Sequence, residues 1–140
     1  MYENKPKNII EAKHNELEKF LQLIADLNTE IELFALGGTA MVLTGLKEAT
    51  KDIDFLTTEK QEEIRRLFSL AGLVEKEKSR LCNIWYLDST RIDVFYDEFI
   101  LGITLPDDWK KLSVHLRDIG KIKLFLLNWY DIIMSKPTPH

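Results

Sequence analysis

The stretch Phe34–Phe55, FALGGTAMVLTGLKEATKDIDF, constrains what this chain can fold into more than any other. An apolar run of strand length leads into Gly37-Gly38-Thr39; a short apolar segment follows, and then Asp52 and Asp54 alternate with Ile53 and Phe55. The glycines allow a sharp turn and a close approach of ligand to backbone. Thr39 is placed to cap a short helix reaching about Thr44, with Gly45 as its stop. Alternation through Asp52-Ile53-Asp54-Phe55 is the period of a strand, so the two carboxylates share one face and the apolar pair faces a core. Strand, turn, helix and carboxylate-bearing strand in this order call for a sheet with helices packed on it.

The flanking sequence agrees. Leu17, Phe20, Leu21, Ile24 and Leu27 recur at helical spacing, which predicts an amphipathic helix over 8–28 ended by Asn28. Ile31–Leu36 reads as a strand. Thr58 and Gln61 form a capping-box pattern opening a helix with Ile64, Leu67, Phe68 and Ala71 on one face, ending at Gly72. LCNIWYL (81–87) and RIDVF (91–95) read as a hairpin about Asp88-Ser89-Thr90, with Asp93 opposite in direction to Ile92 and Val94. Phe99–Leu105 is a further short strand. Val114-His115-Leu116 and 121–126 form another hairpin about Arg117–Gly120, and Asn128 caps a last helix from Trp129. The implied class is α/β (α+β), a mixed sheet flanked by helices. One domain accounts for the whole chain, with an N-terminal helical segment (1–30), a core (31–136) and a tail (137–140).

Asp52, Asp54 and Asp93 are the residues with chemistry to offer. Three carboxylates brought together repel one another unless cations neutralise them or some hold protons. Hard carboxylate oxygens favour Mg²⁺ or Mn²⁺, and Mg²⁺ shares its shell with substrate phosphates. Gly37, Gly38 and Thr39, at a helix N-terminus, provide free N–H groups and a hydroxyl for an anion. The pattern is that of a site for metal ions and phosphate.

Composition narrows the classes further. A net charge of −4 gives no bulk attraction to nucleic acid or to a membrane surface. The single cysteine, Cys82, excludes an internal disulfide framework and suits a reducing, cytoplasmic setting. The N-terminus lacks the apolar core of a secretory signal, and no apolar run has the length of a membrane span. His14, His115 and His140 have no metal-ligand spacing, and Trp85, Trp109 and Trp129 are packing residues. Lys47 and Lys51 fall near the glycine turn, while the basic segment Lys110–Lys123 reads as a solvated hairpin.

Gly37-Gly38-Thr39, then Thr50–Phe55 with its Asp-Ile-Asp-Phe, then Ile92-Asp93-Val94-Phe95 resembles the nucleotidyltransferase superfamily that includes DNA polymerase β. Within it the motif is most similar to AbiEii-type toxin nucleotidyltransferases and related minimal proteins, and Asp131–Lys136 is similar to a late Asp-Leu-Ile-x-x-Lys helix of those domains. The resemblance implies transfer of a nucleoside monophosphate from an NTP, such as ATP, to a hydroxyl of a macromolecule, tRNA or protein, in a toxin–antitoxin or phage-defence setting. It implies two Mg²⁺ (or Mn²⁺) ions on Asp52, Asp54 and Asp93, with Asp93 helping to deprotonate the acceptor. Gly37, Gly38, Thr39 and Lys136 would bind the nucleotide. Thr39 stands one position later than the serine of the common Gly-Ser form, and Pro137 ends the late helix without the further helical sequence of the relatives. That implies no substantial acceptor-binding domain and room for a small helical partner protein. It also leaves an alternative, a catalytically weak or inactive module that binds nucleotide or a partner.

Overall fold

The computed structural model describes residues 12–96, 99–100, 103–104 and 108–127. In chain order the elements are β1 (Ala12–Lys13), α1 (His14–Ala25), β2 (Ile31–Ala35), α2 (Gly37–Leu43), β3 (Ala49–Thr50), β4 (Ile53–Thr57) and α3 (Gln61–Leu70). There follow β5 (Val74–Lys78), β6 (Cys82–Leu87), β7 (Thr90–Phe95), the two-residue strands β8 (Phe99–Ile100) and β9 (Ile103–Thr104), a 3₁₀ turn (Trp109–Leu112), β10 (Ser113–Ile119) and β11 (Ile122–Leu127). Seven strands form one mixed sheet in the order β10-β11-β2-β4-β7-β6-β5. The pairs β11–β2 and β4–β7 are parallel and the others antiparallel. This is the expected mixed α+β architecture.

One face of the sheet carries Leu33, Ala35, Ile53, Phe55, Ile92, Val94, Ile122 and Leu124 against Leu17, Phe20, Leu21 and Ile24 of α1 and Ile64, Leu67 and Phe68 of α3. Aromatic rings run through this layer: Phe20 stacks on Phe55 at 5.8 Å and meets Phe68 edge-on at 5.5 Å, and Phe68 meets Trp85 at 5.3 Å. The alternate residues of the central strands, Phe34, Leu36, Leu56 and Leu127, gather under Trp109 in a second cluster. Burial on both faces is why Ile31–Leu36 reads as a nearly unbroken apolar run.

The structure departs from expectation at several element ends. The first helix begins at His14, because Ala12–Lys13 pairs with Ala49–Thr50 in antiparallel register and the Glu16 carboxylate accepts the Lys13 N–H. Helix α2 starts at Gly37 behind Leu36, so Thr39 lies within its first turn and does not cap it. The Thr58–Gln61 capping box does not form. The Thr58 hydroxyl donates to Glu32, and the Gln61 amide reaches Ser79 O and Asn83. Strand β5, VEKEK, is an exposed sheet edge whose charges discourage pairing with other chains; with so few apolar residues it carries little strand signal in sequence. The last hairpin is longer than expected, since β10 runs through Arg117 to a tight turn at Gly120, where φ is 58°. The expected helix from Trp129, with Lys136, and the tail 137–140 lie outside the described residues. Among the described residues no helix is long and apolar enough to cross a membrane.

Candidate metal and phosphate site

Strands β4 and β7 are parallel neighbours in a register that sets Ile53 beside Ile92, Asp54 beside Asp93 and Phe55 beside Val94. Because side chains alternate in step along paired strands, the apolar partners drop into the helix-covered core and Asp54 and Asp93 rise together on the opposite face. Asp52 sits at the bend just before β4. One carboxylate oxygen from each of the three aspartates lies within 4.8 Å of the others. All three residues expected to hold metal are thus brought together.

Among the described residues Arg91 is the cation that pairs directly with this group. Its guanidinium forks the Asp93 carboxylate, donating from Nε at 2.8 Å and from Nη2 at 3.1 Å, and its Nε is 3.9 Å from Asp52 Oδ1. The sequence reading missed this residue. The signal was present: Arg91 stands two positions before Asp93 on one strand and therefore shares its face. Its hydrogen bond to Asp93 holds the guanidinium still more firmly protonated than usual.

Even with Arg91 present the cluster holds excess negative charge. Burial, then Asp93, then Asp52 push the Asp54 carboxyl up to about 7, with Arg91 opposing. Burial also raises Asp52, helped by Asp93 and countered by Arg91 and Lys51. A carboxyl that retains its proton near neutrality beside two others is a group awaiting a cation. Clustered hard oxygen donors of this kind fit Mg²⁺ or Mn²⁺ and do not fit a soft metal.

The glycine turn adjoins this cluster through the backbone. Gly37 has φ +45°, the left-handed region, with open space where a Cβ would be. Gly38 is required for a different reason: a Cβ there would meet Thr50 Oγ1 at 2.4 Å, and Lys47 Nζ lies 4.0 Å from the same point. Thr39 is fully buried; its hydroxyl accepts the Asp54 N–H at 2.8 Å and donates to the Asp52 carbonyl at 3.4 Å. Of the expected nucleotide-binding residues, Gly37, Gly38 and Thr39 are therefore beside the aspartates, whereas Lys136 lies outside the described residues. Cys82 is half-buried and burial lifts its thiol to about 11, as befits a packing residue.

A family model described as "Nucleotidyltransferase of unknown function (DUF6036)" matches residues 12–138. No curated protein matches the sequence. Among solved structures, a protein from Thermotoga maritima described as a candidate nucleotidyltransferase superposes with a TM-score of 0.62 at 21% identity, over 88% of this chain and 84% of that one. At that identity the likeness concerns the fold.

Proposed function

The chain belongs to this family of nucleotidyltransferases, and on that premise we propose that it moves a nucleoside monophosphate from an NTP to a hydroxyl group of a macromolecule, tRNA or protein. The observation that carries the reading is the parallel register setting Asp54 beside Asp93, with Asp52 completing a three-carboxylate cluster. Asp52, Asp54 and Asp93 would hold two Mg²⁺ or Mn²⁺ ions. When bound, such ions neutralise the triphosphate and lower the pKa of an attacking hydroxyl. The chain itself supplies position. Asp52 and Asp54 would hold the ions where the triphosphate binds, and Asp93 would help to take up the acceptor proton. The N–H groups of Gly37 and Gly38, with Lys136, would receive the terminal phosphates, and the fully buried Thr39 supports the turn from within. The acceptor oxygen bonds to the α-phosphorus as its bond to pyrophosphate breaks, and holding these atoms in line is the main catalytic contribution.

A toxin–antitoxin or phage-defence setting in the cytoplasm, with kinship to AbiEii-type proteins and a small helical partner, is the biological reading we favour from the motifs. A second reading, a module that binds nucleotide or a partner without turnover, draws support from Arg91, which occupies both oxygens of Asp93. Incubation with each α-³²P-labelled NTP, Mg²⁺ or Mn²⁺, and total tRNA or cell lysate separates the two. Label on a macromolecule supports transfer, nucleotide binding without label supports the module, and no nucleotide binding at millimolar concentration contradicts transfer and the nucleotide-binding form of the module.

The raised Asp54 carboxyl gives a further expected result. Protons and metal compete for it, so Mn²⁺ affinity falls as pH drops below about 7, approaching about tenfold per pH unit for one displaced proton. The melting-temperature increase produced by a fixed Mn²⁺ concentration is accordingly larger at pH 8 than at pH 6. Equal increases at the two pH values would contradict a site built on Asp54.

A further inference from the structure

We propose that the Thr39 hydroxyl is a positioning group that clamps the Asp52–Asp54 segment, and that it does not contact the nucleotide; the inference rests on the metal reading above. Strand β2 pairs with β4 only as far as Ala35 opposite Phe55, after which the chain turns into α2. Asp54 still directs its backbone toward the side β2 has left, since its carbonyl accepts the Leu36 N–H at 3.1 Å. Its own N–H therefore has no strand partner, and a buried amide left unpaired is costly. Thr39 Oγ1 fills that place at 2.8 Å and simultaneously donates to the Asp52 carbonyl at 3.4 Å. One side chain thus grips the backbone on both sides of Ile53 and fixes the separation of the two carboxylate-bearing residues.

The hydrogen-bond inventory rules on the alternative. A threonine hydroxyl has one O–H to donate, and a phosphate oxygen needs a donor. Thr39 is 0% exposed, so a phosphate has no path to the hydroxyl, and its O–H faces the Asp52 carbonyl in a long contact of 3.4 Å. Gly38 completes the clamp. A Cβ there would lie 2.4 Å from Thr50 Oγ1 and 3.0 Å from Thr50 Cβ, so the helix seats against β3 just upstream of Asp52 only with glycine at this position. In the Gly-Gly-Thr turn of this chain the one hydroxyl is spent on the geometry of the aspartates.

Mn²⁺ alone, without nucleotide, tests this on the full chain, with free ion read by electron paramagnetic resonance and folding checked by circular dichroism. Thr39→Val, which keeps shape but loses the hydroxyl, should weaken Mn²⁺ binding by about tenfold or more. Thr39→Ser should bind within about twofold of wild type, because the hydroxyl is restored. Amide hydrogen exchange in the metal-free protein should quicken at Asp54 in Thr39→Val and stay protected in Thr39→Ser. If Thr39→Val does not fold, Thr39→Ala, whose smaller side chain admits water to the amide, should show the same loss and the same quickened exchange. Wild-type Mn²⁺ affinity in the valine or alanine variant, with weakened pyrophosphate binding, would overturn the inference and make Thr39 a phosphate ligand. Absence of Mn²⁺ binding by the wild type would instead overturn the metal reading on which the inference stands.

Discussion

Asp54→Asn is expected to lower nucleotidyl transfer by about 10³-fold or more, because the reaction relies on positioned charge and the amide cannot share a divalent ion with Asp52 and Asp93. The same variant should leave the metal-free fold intact and change its pH response. In the folded chain the Asp54 carboxyl titrates near 7, against 3.8 for an unperturbed carboxyl. Between those values the native state holds a proton that the unfolded state has released, so stability is greatest below the lower value and declines as pH rises through the upper one. A shift of that size corresponds to on the order of 4 kcal/mol at most, shared among coupled neighbours. Urea unfolding from pH 4 to pH 8 should therefore show wild-type stability falling more steeply than that of the asparagine variant, in which Asp52 keeps a carboxyl raised by burial. A variant that retains transfer, or keeps the wild-type pH slope, would contradict this assignment.

Trp85→Ala should destabilise the chain by about 3–5 kcal/mol, the usual range for emptying a large aromatic site. Trp85 is 0% exposed on β6 and packs edge-on against Phe68 of α3, which in turn meets Phe20 of α1. Its removal leaves a void where both helices meet the sheet. Trp85→Phe should cost far less than the lost volume suggests. Among the described residues the indole Nε1 has no hydrogen-bond partner, and the smaller ring removes that donor. Chemical denaturation of the two variants checks the difference. A phenylalanine variant that loses as much as its lost volume alone predicts would mean that the buried N–H carries no penalty.

Much of this architecture is legible in the residues because the relevant forces are local. Ile53 and Phe55 alternate with Asp54, and Ile92 and Val94 with Asp93, so the facing of these two carboxylates follows from the pleat alone, while Asp52 lies at the bend before β4. Their meeting does not. It depends on β4 and β7 being adjacent and parallel in one register, a long-range pairing that no window of sequence contains. Arg91 was within reach of the same alternation argument that located Asp93. The role of Thr39 was not, because its partners are the backbone groups of Asp52 and Asp54, and side-chain pattern says nothing of where a hydroxyl finds main-chain partners. Capping predictions at Thr39 and Thr58 failed for one reason: each hydroxyl found a tertiary partner that outweighed the local cap. Strand β5 escaped notice because an exposed edge needs few apolar residues.

The most direct test of the central claim is a Mn²⁺ titration of the wild-type chain and of Asp54→Asn at pH 8 without nucleotide, read by the loss of the free-ion resonance, beside a calorimetric titration of a preformed Mn²⁺ complex of a non-hydrolysable NTP analogue into each protein. Saturable binding of the ion and of the complex by the wild type, both lost in the variant, is the predicted result. Wild-type protein that leaves the Mn²⁺ free in the first titration and takes up no complex in the second, or a variant that binds both as well as wild type, would contradict a metal-dependent nucleotidyl-transfer site at Asp52, Asp54 and Asp93.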